Sequence, residues 1–262
     1  MADPSEIIRI QGYLRESARS IYDSLNLPPF TLFFHPTNPF KYFNYAVPDG
    51  ACGGDLSGVL DEMRKSYHAR GRTARLEFFE AFAPDLPAAL RASGFIEEAR
   101  QWSMLCTPST LRPVPAVEDL SVSHLGYETT WEDARDFVAV QQAGFNPQGE
   151  SDPTDQDIQQ MLDRLHACSC RALLGRVRGE PAGAAEFARP IAGVTEITGI
   201  ATLPVFRRRG IAARLTYLAL TAAFSGEVQT ACLTAENENA GRVYTKAGFS
   251  PFSIMLAYID AN

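Results

Sequence analysis

The sequence predicts an α+β protein made of two related units in tandem. Stretches with strand character alternate with helical apolar periodicity along the chain, and both halves end in the same order of elements. That order, strand, short helix, Gly-Phe and strand, reads "LEFFEAFAPDLPAALRASGFIEEARQWSML" in the first half and "VQTACLTAENENAGRVYTKAGFSPFSIML" in the second. We therefore expect a sheet with flanking helices in each half.

The elements of the first half follow from periodicity and turn residues. Apolar positions predict a helix over 4–25, which the prolines of "NLPPF" end. A second helix is predicted over 55–71, with Asp55 as its N-cap and Gly71 past its end. The other predicted elements are strands over 30–35, 41–47, 73–82 and 99–106 and a short helix over 84–95.

A change in composition separates the two halves. Residues 107–119 carry three prolines and little else that would pack, so we predict a linker there. The linker divides the chain into two predicted domains, residues 1–106 and residues 120–262.

The second half repeats the alternation in more detail. Helices are predicted over 129–145 and 151–167, the second one capped near Ser151 or Asp152. A strand over 193–203 must stop at Pro204, because the residue before a proline is held extended. The other predicted elements are strands over 121–127, 228–236 and 253–260, a hairpin over 169–190, a helix ending near Gly226 and a short helix over 237–249.

Composition limits the classes of function. The chain has 262 residues, 45% of them hydrophobic, and a net charge of -7, so a broad basic surface for nucleic acid is not expected. The first residues lack the apolar core of a secretory signal, and no apolar run reaches the ~20 residues of a membrane helix. We expect a cytoplasmic protein with neither nucleic acid nor membrane as a partner.

The five cysteines indicate reduced thiols, because an odd and sparse set is no disulfide framework. His166, Cys168 and Cys170 alternate in "HACSC" and would share one face of a strand, as metal ligands do. A structural zinc needs four ligands, however, and no second Cys/His cluster follows. We therefore expect no metal and small buried thiols at the start of a strand.

Three consecutive arginines stand before a glycine and an apolar helix in "PVFRRRGIAARLTYLAL". The first amides of a helix lack internal partners and attract anions, a glycine lets phosphates approach the backbone, and arginines add charged donors. A solvated turn is the alternative reading of this charge run. The stretch fits neither GxxxxGK[ST] nor GxGxxG, so we interpret it as another kind of phosphate cradle.

Two motifs resemble the GCN5-related N-acetyltransferases (GNAT). Arg207-x-x-Gly210-x-Ala212 resembles the family's acyl-CoA signature Q/R-x-x-G-x-G/A. A second match, to N-x-x-A-x-x-x-Y-x-x-x-G-F, is made by Asn237, Ala240, Tyr244, Gly248 and Phe249. The resemblance covers roughly residues 121–260. The first half lacks the arginine-glycine signature and resembles a degenerate copy that has lost ordinary CoA binding.

The resemblance implies a mixed, mostly antiparallel sheet in which two central strands splay apart around acetyl-CoA, a co-substrate. Those strands would be 195–203 and 229–235, with a bulge at Gly199 opening the first. The implied binding residues are Ile200, Ala201 and Thr202 for the pantetheine arm, the amides of Arg207, Arg208, Arg209, Gly210, Ile211, Ala212 and Ala213 for the pyrophosphate, and Asn237 or Asn239 and Tyr244 beside the arm.

The implied reaction is direct attack of an amine on the thioester in a ternary complex. Tyr244 would be the general acid, and Glu196 the base, acting through water, with Glu186 as second choice. The amide near Thr202 would polarise the thioester carbonyl. Alternatively, Tyr244 only covers the core and Glu196 is an exposed strand residue.

The function that follows from the resemblance is an acyl-CoA-dependent N-acyltransferase, most simply an acetyltransferase. Its acceptor would be an amine of a small molecule or of a protein, and we expect a monomer. The alternative is a catalytically silent protein that binds CoA as a sensor or holds a partner. Nucleic-acid binding through the arginines would instead show steep salt dependence.

Overall fold

The computed structural model describes residues 3–146 and 152–261. The helices are α1 (Pro4–Arg19), α2 (Ser57–His68), α3 (Leu86–Ala92), α4 (Trp131–Phe145), α5 (Asp155–His166), α6 (Ile211–Phe224) and α7 (Glu238–Thr245). The strands are β1 (Asp23–Leu27), β2 (Phe30–Phe34), β3 (Tyr45–Pro48), β4 (Arg75–Phe79), β5 (Phe95–Cys106), β6 (Leu120–Leu125), β7 (Cys170–Val177), β8 (Glu180–Ala188), β9 (Val194–Thr202), β10 (Thr230–Ala235) and β11 (Ser250–Asp260).

Contacts divide the chain into two compact units. Unit 1 comprises Met1–Ser103, Thr234–Asn237 and Pro251–Asn262, and unit 2 comprises Met104–Leu233 and Glu238–Ser250. The strand order is β1-β2-β3-β4-β11-β5 in unit 1 and β10-β9-β8-β7-β6 in unit 2. The pairs β3/β4 and β9/β10 are parallel, whereas β1/β2, β2/β3, β4/β11, β6/β7, β7/β8 and β8/β9 are antiparallel. The predicted α+β class with a mixed, mostly antiparallel sheet is confirmed.

The last strand of the chain belongs to unit 1. β11 pairs with β4 from Met255↔Phe79 to Ile259↔Arg75, and it buries Leu256 in the unit 1 core. The predicted second domain, 120–262, therefore does not coincide with unit 2 at its end. An apolar pattern predicts that a strand exists but not which strand it pairs with, so the pairing of β11 with β4 could not be predicted from the sequence. Independent folding of 1–106 and 120–262 stays a prediction.

Unit 2 has helices on both faces of its sheet. On one face, Phe137 of α4 and Met161 of α5 form a buried cluster with Ala184 and Ala201. On the other face α6 lies close to β8, because a Cβ added at Gly183 would be 2.7 Å from Ile211 Cγ2 and 2.9 Å from Leu215 Cδ1. The apolar helix predicted after the arginines thus faces the sheet with Ile211 and Leu215.

Residues 107–119, predicted as a linker, lie within unit 2 and pack against it. Val114 is buried, and its carbonyl accepts a hydrogen bond from Arg214 Nη1 at 2.7 Å. The amide of Arg112 donates to the carbonyl of Ala247 at 3.0 Å. The segment thus packs against α6 and the turn after α7, which lie a hundred or more residues away in sequence, and its role as an interdomain linker stays a prediction.

Some element boundaries also differ from the predictions. The first helix ends at Arg19, and the residues after it form β1, which pairs with β2. Lys41–Phe43 is a 3-10 turn, so β3 begins only at Tyr45. The N-cap of α5 is Thr154, in a capping box with Asp157, rather than Asp152; Ser151 lies outside the described residues.

The "HACSC" stretch does not lie on one strand. His166 ends α5, Cys168 is an exposed turn residue with a φ of 52°, and β7 begins at Cys170. Burial raises the pKa of the Cys170 thiol to about 11, so this thiol is unreactive. Within residues 3–146 and 152–261, no group of three or more His, Cys, Asp or Glu side chains could hold a metal, and no helix is long and apolar enough to cross a membrane.

Gly248, which follows α7, has neighbouring backbone atoms that leave no room for a side chain. Its φ is 110°, and a Cβ there would overlap the carbonyl oxygen of Thr110 and lie 2.9 Å from its carbon. We expect Gly248→Ala to lower the free energy of unfolding by about 2 kcal/mol, because neither backbone can give way cheaply. Denaturant unfolding measures this loss.

The matched control for Gly248→Ala is Gly58→Ala, within α2. An added Cβ at Gly58 meets no atom within 4 Å. Alanine should therefore leave stability unchanged or raise it by up to about 1 kcal/mol. Equal unfolding midpoints for the two variants would contradict the steric account of Gly248.

Candidate functional site

The two parallel strands of unit 2 separate along their length. β9 and β10 pair through Val194↔Thr230, Thr195↔Ala231 and Glu196↔Cys232. Within the described strands the register stops there, so residues 197–202 of β9 have no partner on β10. The predicted splay of strands 195–203 and 229–235 is therefore present, and it exposes a backbone edge of β9 to a ligand.

A bulge interrupts β9 at the predicted glycine. The register with β8 passes from Glu186↔Thr198 to Ala184↔Ala201, so two residues of β9, Gly199 and Ile200, oppose a single residue of β8. Gly199 has a φ of 61°, a conformation that favours glycine. The predicted bulge is confirmed, and it re-aims the backbone of the residues that follow it.

The N-terminus of α6 is open. Gly210 is its N-cap residue, with a φ of 86°, and within the described residues no side chain caps the helix. The helical ladder starts with the amide of Arg214, which donates to the carbonyl of Gly210 at 3.0 Å. The amides of Ile211, Ala212 and Ala213 therefore point out of the helix with its positive dipole end, as an anion site requires.

The three arginines before α6 have different environments. The Arg207 guanidinium donates from Nε to the carbonyl of Thr202 at 3.1 Å and from Nη2 to the carbonyl of Gly144 at 3.2 Å, and its amide donates to the carbonyl of Pro204. Arg207 thus holds the loop to β9 and α4, so a phosphate would have to compete for it. The exposed guanidiniums of Arg208 and Arg209 supply the charge at the helix end.

A cavity of about 440 Å³ lies at this helix end. It is lined by Val114, Pro115, Ala116, Val117, Glu118, Arg209, Gly210, Ala213 and Lys246. The sequence did not predict that residues 114–118 and Lys246 line this cavity. Residues 114–118 match no motif, and Lys246 stands at an unspecified position of the second motif. The one available signal was a lysine three residues before Phe249, the end of the match to the second motif, because a cation near phosphates is favourable.

The candidate acid lies on α7. Tyr244 is half-buried, and its ring meets Phe249 edge-on with centroids 6.3 Å apart. Its carbonyl accepts from the amides of Ala247 and Phe249, which fixes the turn after the helix. Asn239 is exposed in the first turn of α7, and Asn237 is exposed just before it.

The two candidate bases have different surroundings on one face of the sheet. Glu196 is half-buried and belongs to the last pair of β9 with β10, beside the point where the strands separate. Glu186 is buried, and both of its carboxylate oxygens lie 3.0 Å from Arg164 Nη2. Thr198 Oγ1 also donates to Glu186, at 3.1 Å. Glu186 is thus held in an ion pair with Arg164, whereas Glu196 lies where β9 and β10 separate.

The side-chain hydroxyl of Thr202 lies at the end of β9. Its hydroxyl oxygen is buried and has no hydrogen-bond partner in the described part of the chain. Its carbonyl is held by Arg207, as described above. An unsatisfied hydroxyl beside the open strand edge is consistent with a site that is completed by a ligand.

Unit 1 has a corresponding parallel strand pair, β3 and β4, and a corresponding helix, α2, but side chains of unit 1 bind the backbone groups there. β3 and β4 pair only through Ala46↔Leu76, but the amide of Phe79 donates to Gln11 Oε1 of α1 at 3.0 Å. At the N-terminus of α2, Asp55 Oδ1 accepts from the amide of Ser57 at 2.9 Å, a bond that lowers the pKa of Asp55. The carboxylate of Asp55 thus lies at the start of α2, whereas the start of α6 in unit 2 has uncapped amides and exposed arginines.

A larger cavity of about 1120 Å³ lies at the opposite end of α6. It is lined by residues of the β6–α4 loop, the ends of β7 and β8 and residues 222–228. None of the predicted site residues lines it. We therefore place the candidate site at the smaller cavity, which is lined by the open end of α6 with Arg209 and Lys246.

The comparisons with known proteins identify a family domain in the second half of the chain. Residues 130–249 match the model described as the acetyltransferase (GNAT) family, a range that includes β9, α6 and α7. Among curated protein sequences, no significant match exists. The family match covers the motifs of unit 2 and leaves the first half outside it.

Solved structures resemble the chain over nearly its whole length. A GCN5-related N-acetyltransferase from Kribbella flavida is 21% identical, with a TM-score of 0.81 over 98% of this chain and 96% of that one. A GCN5-related N-acetyltransferase from Sphaerobacter thermophilus is 17% identical, with a TM-score of 0.68 over 97% and 88%. A tandem GNAT protein from the clavulanic acid biosynthesis pathway is 14% identical, with a TM-score of 0.64 over 88% and 77%. At these identities the likeness establishes the fold.

Proposed function

Because residues 130–249 form a domain of the acetyltransferase (GNAT) family, we propose that this protein transfers an acyl group, most simply acetyl, from acyl-CoA to a primary amine. The observation that carries the proposal is the open N-terminus of α6 beside the splayed end of β9. Uncapped amides with exposed arginines suit a pyrophosphate, and an unpaired strand edge suits the amide groups of a pantetheine arm.

Each part of the donor has candidate partners in the chain. The amides of residues 208–213 and the side chains of Arg208, Arg209 and Lys246 would hold the phosphates. Backbone groups of Ile200, Ala201 and Thr202 would pair with the arm, with Asn237 or Asn239 near its far end. Arg207 would act by holding the loop rather than by touching the phosphates, given its two carbonyl partners.

The chemistry needs one proton removed and one supplied. The bound thioester is the electrophile, and the amine must be uncharged to attack it. Glu196 would take the proton from the amine through water, and Tyr244 would donate a proton to the departing thiolate. The amide near Thr202 would stabilise the developing oxyanion.

The acceptor would be an amine of a small molecule or of a protein, and the enzyme would work as a cytoplasmic monomer. The test is thiol release from acetyl-CoA in the presence of a panel of primary amines. Release that depends on the amine supports the proposal. Micromolar binding of acetyl-CoA without release for any amine would support the alternative, a catalytically silent CoA-binding protein.

We predict that the chain binds one equivalent of acetyl-CoA. The described residues of unit 1 offer no second open site, because Asp55 Oδ1 already accepts from the amide of Ser57 and Gln11 bonds the amide of Phe79. Calorimetric titration of the full chain should give a stoichiometry near one. A stoichiometry near two would contradict this account of unit 1.

A further inference from the structure

Gln141, in the last turn of α4, contacts the bulge of β9 and has no role in the site described so far. We propose that Gln141 is a positioning residue: together with the Glu186–Arg164 ion pair, it holds the bulge in the conformation that receives the acyl-CoA arm. The inference rests on the proposed function, since it concerns how that site is built.

The backbone at the bulge needs support from outside the sheet. Gly199 and Ile200 fall between the register pairs with β8, and pairing with β10 has already stopped at Glu196. In the described strands, these two residues therefore have no ladder partner on either side. Their conformation has to be fixed by other contacts.

Gln141 supplies the contact on one side of the bulge. Its Nε2 donates to the carbonyl of Gly199 at 3.2 Å. A Cβ added at Gly199 would overlap this nitrogen and would lie 3.2 Å from Glu186 Cγ. The side chains of Gln141 and Glu186 thus fill the space beside the α-carbon of Gly199, where a residue with a Cβ would not fit without displacing Gln141.

Glu186 fixes the residue before the glycine. It accepts from Thr198 Oγ1 at 3.1 Å, and Arg164 Nη2 of α5 lies 3.0 Å from each of its oxygens. The carboxylate side chain is only 9% exposed. Elements α4, α5 and β8 therefore each supply one side chain to a clamp on two consecutive residues, Thr198 and Gly199.

The clamp acts on the arm rather than on the phosphates. The backbone groups proposed for the arm begin with Ile200, directly after the clamped glycine, so a change of φ at Gly199 would turn them. The phosphate cradle starts beyond Pro204 and has its own support from Arg207. Loss of Gln141 should therefore weaken recognition of the arm selectively.

The experiment compares Gln141→Leu with Gln142→Leu, its neighbour on α4, whose Nε2 donates instead to Asp157 Oδ2 at 3.3 Å. Two probes are titrated by calorimetry: acetyl-CoA, and 3′,5′-ADP, which carries phosphates but no pantetheine arm. We expect Gln141→Leu to raise the Kd of acetyl-CoA about 3- to 10-fold, the effect of one neutral hydrogen bond, and to change that of 3′,5′-ADP less than twofold. Gln142→Leu should change neither.

Steady-state kinetics and a second variant of Gln141 complete the test. The KM for acetyl-CoA should rise with little change in kcat, and Gln141→Glu, which keeps the size but loses the donor, should behave like Gln141→Leu. The inference would be overturned, while the proposed function stands, if Gln141→Leu left the affinity for acetyl-CoA unchanged. It would also be overturned if Gln141→Leu and Gln142→Leu both lowered the affinities for acetyl-CoA and 3′,5′-ADP equally. No binding of acetyl-CoA to the wild type would overturn both.

Discussion

Replacing Tyr244 by phenylalanine is expected to lower kcat about 10²- to 10⁴-fold, the range of general acid catalysis, while the Kd for acetyl-CoA changes less than threefold. The variant keeps the ring that meets Phe249 and removes only the hydroxyl. A departing thiolate without a proton donor is a poorer leaving group, so the loss should appear in the chemical step. Steady-state rates of thiol release measure it.

Tyr217→Phe is the matched control for this prediction. Tyr217 lies on α6, half-buried, with its ring 5.4 Å from the Arg214 guanidinium, and it belongs to no part of the proposed site. Its rates should stay within about twofold of the wild type. If Tyr244→Phe also kept its rate, Tyr244 would only cover the core, and the acid would have to be sought elsewhere.

Reversing the charge of Arg208 and Arg209 to glutamate is expected to weaken acetyl-CoA binding about 100-fold or more. Each reversal places a carboxylate where the proposed cradle has a guanidinium, which costs about 1.4–2 kcal/mol per position in a solvated site, or about 100- to 900-fold for the two together. The loss should shrink as salt is raised, because exposed charges are screened. Calorimetric titration at two ionic strengths measures both effects.

Arg171→Glu with Arg189→Glu is the control double variant. Both arginines are exposed and line the larger cavity at the other end of α6. The change in net charge is the same, but a helix of 14 residues separates the two ends by about 20 Å, well beyond the Debye length. Equal losses of affinity in both double variants would show that the whole charge of the protein, rather than the cradle, governs binding.

The parts of the site that the sequence predicts are those built by neighbouring residues. Gly210 before an apolar helix predicted the open helix end, and Gly199 gave the position for the bulge that the family resemblance implies. A glycine in either place marks a backbone conformation that other residues avoid, so the signal is local. The motif match added the splay of the two strands and the position of Tyr244.

The parts that the sequence does not predict depend on contacts between distant residues. Arg207 is read from the motif as a phosphate ligand, but its guanidinium binds the carbonyl of Gly144, 63 residues away. The packing of Val114 against Arg214 and the pairing of β11 with β4 are of the same kind. A backbone carbonyl or a strand edge can pair with any suitable donor, so the sequence pattern does not predict which residue becomes its partner.

The most direct test of the account follows the backbone amides of α6 by NMR while acetyl-CoA is added. The account predicts that the amide resonances of Gly210, Ile211, Ala212 and Ala213 shift and saturate at one equivalent, while that of Ser57 at the start of α2 does not move. Binding that leaves the α6 amides unchanged and shifts those of another region would contradict the central claim that this helix end holds the phosphates of acyl-CoA.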